Sequence, residues 1–166
     1  MGRRRRREEF DSITQAVARI IRISTSRSGF AAQAEIAQVA ISQPSYALMR
    51  VVIDQGPVSM SGLARATHMD VGMVTRQVGQ LETSGYVTRE ADPVDQRVSL
   101  VSATDEGRGV AGAIQRLRRA HLEVALAGWS QEDLKTFDSL LTRFVEDTTG
   151  TSFQDLGWSS EGSVHP

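Results

Sequence analysis

The chain has 166 residues, a formal net charge of −1 and no cysteine. This length allows one domain whose core needs no metal or disulfide. The lack of cysteine excludes a disulfide framework and a thiolate metal site, and it suits the reducing cytoplasm in which we expect the protein to work. Nucleic-acid binders usually carry a basic excess, so the net charge gives no support to that class.

The N-terminal part is predicted to contain a basic start and two helices. Residues 1–7 carry an arginine run, for which we favour a disordered start without a role over a salt-dependent contact with phosphate. Apolar residues at steps of three and four predict an amphipathic helix from about Glu8 to Ser24, and a second short helix is predicted from Phe30 to Ile41. No segment is apolar for long enough to span a membrane or to act as an export signal.

Residues 42–104 begin with three predicted helices. Ser42, Ser59 and Asp70 are each placed to cap one of them, because a serine or aspartate oxygen can accept a hydrogen bond from the free N–H groups of a first turn. Gly56, with a proline directly after it, ends the first of these helices. The second and third helices are joined by a tight turn.

A β hairpin is predicted after the third helix. Short strands at Tyr86–Arg89 and Val98–Val101 enclose the polar loop 92–96. Two helices joined by a tight turn, with a hairpin after the second, form the arrangement that places one helix in the DNA major groove and a wing beside it. We therefore call residues 42–104 the winged, DNA-binding lobe.

Two longer helices are predicted over residues 105–148. Thr104 caps the first, which is expected to end at Gly128, and Ser130 with Asp133 resembles a capping box for the second. Both helices carry apolar residues at alternating steps of three and four, a pattern typical of helix-on-helix packing.

Three amphipathic segments therefore lie at the two ends of the chain. We expect residues 8–41 and 105–148 to associate, either within one chain or between two, and to serve as dimerisation helices. The remaining residues, 149–166, form a tail rich in serine and glycine that we expect to be loosely held.

The third helix of the central segment has two distinct sides. Val74, Val78 and Leu81 share the side that should face the core. Arg76 is the best candidate base reader on the other side, because a guanidinium can donate two hydrogen bonds to guanine. The outward-facing residues are Gly72, Met73, Thr75, Arg76, Gly79 and Gln80.

Gly72 and Gly79 need an explanation of their own. Each costs a helix about 1 kcal/mol relative to alanine. Close approach of DNA would account for both, and so would packing against another helix. The sequence does not decide between these two interpretations.

Five motifs in fixed register resemble the core of the MarR family. The register runs without a gap from Ser42 to Gly107. The hairpin loop motif, followed at a fixed distance by the start of the next helix, is the most specific part of the match. The five motifs are Leu63-Ala64, Val74-Thr75-Arg76, Leu81-Glu82-Thr83-Ser84-Gly85, Asp92-Pro93-Val94-Asp95-Gln96-Arg97 and Thr104-Asp105-Glu106-Gly107.

The resemblance implies a fold and a function. The fold would be mainly α with a small β wing: a winged helix-turn-helix domain flanked by N- and C-terminal dimerisation helices. The function would be that of a repressor, a homodimer that binds a palindromic operator in double-stranded DNA and is released by a small aromatic or anionic effector.

The resemblance also assigns roles to the wing and to the helix before the turn. It places Arg97 in the minor groove, where negative potential is enhanced, with Asp95 positioning its guanidinium. An ordinary hairpin salt bridge between these two residues is the alternative. Ser61 and Arg65 could contact phosphate, or they could simply belong to a solvated helix face.

An effector crevice is implied between the dimerisation helices and the DNA-binding lobe. Each candidate side chain for lining it is also compatible with a solvated or packed position. The candidates are Arg19, Arg22, Tyr46, Arg50 and His121.

Other function classes find little support. The chain has three histidines and no cysteine, so we predict no metal site and no cofactor. It lacks a glycine-rich phosphate loop and a cysteine nucleophile, so we expect no enzyme. The alternative that stays open is a helical dimer that uses the winged lobe to bind a partner protein, which the near-neutral charge permits.

Overall fold

The computed structural model describes residues 2–151, with side chains from Arg4 onward. The predicted tail falls almost wholly outside these residues, as does His165. The described helices are α1 (Gly2–Ser24), α2 (Arg27–Ile36), α3 (Gln43–Gln55), α4 (Met60–Thr67), α5 (Val71–Thr83), α6 (Asp105–Ala125) and α7 (Gln131–Thr149), and the strands are β1 (Val58–Ser59), β2 (Val87–Ala91) and β3 (Ser99–Ala103). None of these helices combines the length and the apolar character needed to cross a membrane.

The first helix begins earlier than the sequence suggested. Residues 2–7 are helical rather than disordered, and arginine is itself a good helix former. Pairs one turn apart stabilise this segment: Arg4 lies 3.3 Å from Glu8, and Arg5 lies 3.5 Å from Glu9. Glu8 and Glu9 therefore support the helical conformation of the arginine run.

The second helix is shifted toward the N-terminus relative to its prediction. Ser26 caps it by accepting a hydrogen bond from the Gly29 amide at 3.1 Å. It ends early because Gln38 adopts a left-handed conformation with φ of 55°, which stops an α-helix. Val39 and Ile41 pack against the core from the connecting segment, which explains why their apolar character suggested a longer helix.

The cap predictions for the central helices are confirmed. Ser42 accepts from the Ser45 amide at 3.2 Å at the start of α3, and Gly56 ends that helix with φ of 82°. The sheet is antiparallel with strand order β1-β3-β2. The predicted hairpin forms β2 and β3, each displaced by one or two residues, while β1 is an addition in which Val58 pairs with Val101.

One core joins helices α2 to α6 to the sheet. Leu48, Met49, Leu63, Val74, Val78, Val101 and Ile114 are fully buried in it. The long helix α6 enters this core at its first turn, where Thr104 accepts a hydrogen bond from the Gly107 amide at 3.1 Å. The N-terminal cap predicted for α6 is thus confirmed, but the helix ends at Ala125 rather than at Gly128.

The chain forms two compact units, with the boundary between His121 and Leu122. In the second unit, Ser130 and Asp133 make the predicted capping box at the start of α7. No residue of α7 is buried. Trp129 and Phe137 stack edge to face with ring centroids 5.3 Å apart.

Candidate nucleic-acid interface

Helices α4 and α5 form a helix-turn-helix, in which the second helix, α5, is called the recognition helix. Ser59 caps α4 by accepting from the Gly62 amide at 3.1 Å, and Asp70 caps α5 by accepting from the Met73 amide at 2.8 Å. Between them His68 ends α4 in the left-handed conformation, with φ of 53° and ψ of 32°. This conformation is uncommon for a residue with a side chain but is accessible to histidine.

The inner face of α5 is apolar, as predicted, with one polar exception. Val74 and Val78 are fully buried. Gln77 is also buried, and its side-chain oxygen accepts hydrogen bonds from Ser45 at 2.7 Å and from Ser42 at 3.2 Å. These bonds tie the middle of α5 to the first turn of α3. The spacing of Gln77 on the inner stripe was the signal that could have revealed this contact.

The outer face of α5 is open to solvent. Arg76 and Gln80 are exposed, and their side chains make no hydrogen bond or ion pair within residues 2–151. The Thr75 hydroxyl donates to the Val71 carbonyl at 2.8 Å, which leaves its methyl group and oxygen lone pairs for an external partner. Met73 is half-buried.

The two glycines of α5 do not pack against another helix in the described chain. A Cβ at Gly79 would meet nothing within 4 Å. A Cβ at Gly72 would meet only the Asp70 carboxylate, at 3.2 Å. Intramolecular packing therefore does not explain either residue, and the space outside both is free for an external partner.

The wing corrects one residue assignment. Asp95 accepts a hydrogen bond from the main-chain amide of Arg97 at 3.0 Å, and it does not pair with the guanidinium. Asp92 likewise accepts from the Val94 amide at 2.7 Å. Short acidic side chains commonly bond to the backbone two residues on, so both aspartates shape the turn. The Arg97 guanidinium is exposed and has no partner in the part of the chain that is described.

An ion pair attaches the wing to α5. Arg89 of β2 and Glu82 of α5 lie 2.6 Å apart, each about one-third exposed. Spacing along the chain does not reveal this contact, because Glu82 and Arg89 share neither a helix nor a strand pair. Arg89, unlike Arg76, therefore has an intramolecular partner.

The predicted phosphate contacts on α4 are at the surface. Ser61 and Arg65 are both exposed. The Ser61 hydroxyl lies 3.2 Å from that of Ser59, whereas the Arg65 guanidinium has no partner among the described residues. Because both side chains are exposed, contact with phosphate and a merely solvated helix face are both compatible with the structure.

The five candidate effector residues are not brought together. Arg19 and Arg22 are exposed on α1, and His121 is exposed on α6. Tyr46 is buried in the core, and Arg50 pairs with Asp54 of its own helix at 2.6 Å. Periodicity alone could not show that these side chains point in different directions.

Two open cavities instead flank the outer face of α5. One, of about 650 Å³, lies between the end of α5 and the segment before α3. The other, of about 480 Å³, lies between α2, the start of α3 and α5, and its lining includes Arg27, Phe30 and Gln77. Arg76 and Gln80 line both cavities. None of the five candidates lines either one.

Comparison with known proteins gives this geometry a family. Residues 41–99 match the model of the MarR family. An uncharacterized HTH-type transcriptional regulator of Bacillus subtilis, YxaD, is 33% identical over 103 residues, which cover 62% of this chain and 72% of that relative. The chain belongs to the MarR family. It is thus a DNA-binding transcriptional regulator and not an enzyme.

Further relatives agree with the MarR assignment. A second regulator of Bacillus subtilis, YdgJ, is 31% identical over 103 residues, which cover 62% of this chain and 63% of the relative. The crystal structure of RV1404 from Mycobacterium tuberculosis aligns with a TM-score of 0.70 at 21% identity, over 87% of this chain and 97% of that one. At this identity the structural likeness supports the winged helix fold. The fold predicted from the motifs, mainly α with a small β wing, is confirmed.

Proposed function

We propose that this MarR-family regulator acts as a homodimeric repressor of a palindromic operator. The observation that carries the proposal is the apolar surface that α1 and α7 leave uncovered. Extended patches of this kind are unusual on monomeric proteins, and a second copy of the chain is the natural partner. The exposed apolar residues are Phe10, Ile13, Ile20, Ile21 and Ile23 on α1 and Phe137, Leu140, Leu141, Phe144 and Val145 on α7.

Symmetry connects the dimer to the operator. A two-fold axis relates the two copies of α5, so the DNA they read has two inverted half-sites. On each half-site Arg76 and Gln80 contact base edges in the major groove, and Arg97 enters the minor groove. Arg65 and Ser61 contact the phosphates. Within residues 2–151 none of the three arginines has a side-chain partner, which supports these roles.

A small anionic or aromatic effector would bind in the cavities beside α5. The proximity of Arg27, Arg76 and Phe30 supports this chemistry, because a guanidinium pairs with a carboxylate and a ring packs against a ring. Release from DNA requires that the effector bind one arrangement of the dimer more tightly than another. We propose that it favours an arrangement in which the two recognition helices no longer match the half-site spacing.

Footprinting on the DNA upstream of the coding region tests the DNA-binding part of the proposal. We expect protection of two inverted half-sites about 10 bp apart, with an affinity that falls steeply as salt rises. Sedimentation of the same sample should give the mass of a dimer. Protection of a single half-site, or a monomer bound to DNA, would contradict the proposal.

Transcription in vitro from the protected promoter tests repression and release. We expect the protein to lower transcript yield and millimolar benzoate, a small aromatic anion, to restore it. Arg27→Gln should abolish the response to benzoate without weakening operator binding. Arg22→Gln, on the exposed side of α1, is the matched control and should respond like the wild type. Loss of the response in the Arg22 variant alone would move the effector site to α1.

A further inference from the structure

Arg118 lies near the end of the part of α6 that belongs to the first compact unit. Gly107, Ala111 and Ile114 are the buried residues of this helix. Arg118 follows Ile114 by one turn, and the second compact unit begins at Leu122. The residues of α6 after Leu117 are all exposed. A contact made by Arg118 therefore holds α6 beyond Ile114, the last buried residue of this helix.

The Arg118 guanidinium contacts two other helices. Its central carbon lies 5.1 Å from the ring centroid of Tyr46 on α3 and 6.0 Å from that of Phe30 on α2. Its Nε donates a hydrogen bond to the side-chain oxygen of Gln33 on α2 at 2.9 Å. A planar guanidinium can stack on rings while still donating in its own plane. One side chain thereby joins α6 to both α2 and α3.

The two rings under Arg118 are buried and contact each other. Phe30 and Tyr46 are 4% and 6% exposed, and their ring centroids are 5.3 Å apart. Tyr46 is also the neighbour in sequence of Ser45, which donates to Gln77 on α5 at 2.7 Å. A continuous set of contacts thus runs from α6 through α3 to the recognition helix.

We propose that Arg118 is a positioning residue for operator recognition. By holding α3 to α6, Arg118 determines the orientation of the recognition helix, α5, relative to α6. In the homodimer this orientation determines the separation of the two recognition helices. The inference rests on the proposed dimer and operator, and it adds a residue that touches no DNA to those that select the site.

A series of operators with altered half-site spacing tests the role of Arg118. The wild type should prefer the natural half-site spacing to a spacing that is one base pair longer or shorter. In Arg118→Met this preference should fall about five- to tenfold, the low end of what the lost cation–π contacts and one hydrogen bond would give. Arg118→Lys keeps the charge and should lose less. Arg116→Met removes an exposed arginine of the same helix that has no partner among the described residues, and it should behave like the wild type.

The outcomes separate this inference from the proposed function. If the wild type binds equally well at every half-site spacing, the proposed palindromic operator is wrong. Amide hydrogen exchange then tests the contacts of Arg118 by themselves. Exchange at residues 115–121 should then be faster in Arg118→Met than in Arg116→Met, with α7 unchanged. Unaltered spacing preference and unaltered exchange in Arg118→Met would overturn the inference. If that variant does not fold, the same two results in Arg118→Lys would overturn it.

Discussion

Gly107 lies where the first turn of α6 crosses the base of the β hairpin. The main-chain amide of Thr104 donates to the Tyr86 carbonyl at 3.1 Å, and its hydroxyl donates to the Gly85 carbonyl at 2.7 Å. These bonds bring the helix so close that a Cβ at Gly107 would overlap the Tyr86 carbonyl oxygen. Close approach, and not backbone conformation, requires glycine at this position.

Gly107→Ala should therefore destabilise the protein. We expect the free energy of unfolding to fall by about 1–3 kcal/mol, the usual cost of overpacking, because backbone and not a flexible side chain opposes the added methyl group. Urea denaturation measures it. Gly109→Ala is the matched control on the same helix, where a Cβ meets nothing within 4 Å, and it should raise stability by up to about 1 kcal/mol. Similar values for the two variants would contradict the close approach.

Gly79→Ala separates protein packing from DNA proximity on the recognition helix. The protein has room for the methyl group, so the free energy of unfolding should rise by up to about 1 kcal/mol. If DNA passes close to this position, operator affinity should fall while stability rises. Gly109→Ala, away from the recognition helix, should gain stability without losing affinity. Undiminished operator affinity in Gly79→Ala would leave DNA proximity without support.

At the scale of elements, the recognition helix and the wing are coupled but offer different chemistry. The hydrogen bonds of Gln77 to α3 and the ion pair between Glu82 and Arg89 hold α5 from two sides. The helix then presents Arg76 and the wing presents Arg97, both free of intramolecular partners in the described chain.

Alanine variants of these two arginines should have different signatures. Arg76→Ala would remove the proposed bidentate base contact, so the preference for the operator over single-base variants should fall at one position by about 1–3 kcal/mol. Arg97→Ala should weaken binding to all operator variants similarly and flatten the salt dependence. Band-shift titrations with a mutated operator set measure both. Arg19→Ala, exposed on α1, serves as the control, and identical specificity profiles for the first two variants would contradict the assignment of the reading face.

At the scale of the whole molecule, α1 and α7 each leave apolar side chains exposed. Phe10 is 57% and Ile13 is 47% exposed. Most of the stability of an amphipathic helix comes from the packing of its apolar face against other parts of the protein. The proposed second copy would supply this cover.

Replacing Phe10 and Ile13 together with glutamate should dissociate the dimer. The expected result is a monomer by sedimentation that retains helical circular dichroism and loses at least about tenfold in operator affinity, because the two half-sites are no longer bound jointly. Arg19→Glu reverses a charge on the same helix and should remain dimeric. A double variant that stays dimeric would show that α1 does not form the interface.

The local part of this architecture could be predicted from the sequence. The caps at Ser42, Ser59, Asp70 and Ser130 are where they were expected, because a cap depends on a few consecutive residues and on the free amides of one helical turn. The inner stripe of α5 also follows from its spacing alone. The MarR motifs combine such local features at fixed distances, and they were sufficient to identify the family.

The remaining features depend on residues far apart in the chain. Strand β1 exists only because Val58 meets Val101, and two residues are too few to show an alternating pattern. The contact between Arg118 and Tyr46 joins two helices that α4, α5 and the β hairpin separate in the chain. Asp95 accepts a hydrogen bond from the Arg97 main-chain amide and does not pair with the Arg97 side chain, because the geometry of the turn brings that amide within reach. The sequence alone determined the order of the helices and of the hairpin strands, and the side of α5 that faces outward. Only the tertiary structure decided which polar groups have no intramolecular partner in the described chain, because those partners are far apart in the sequence.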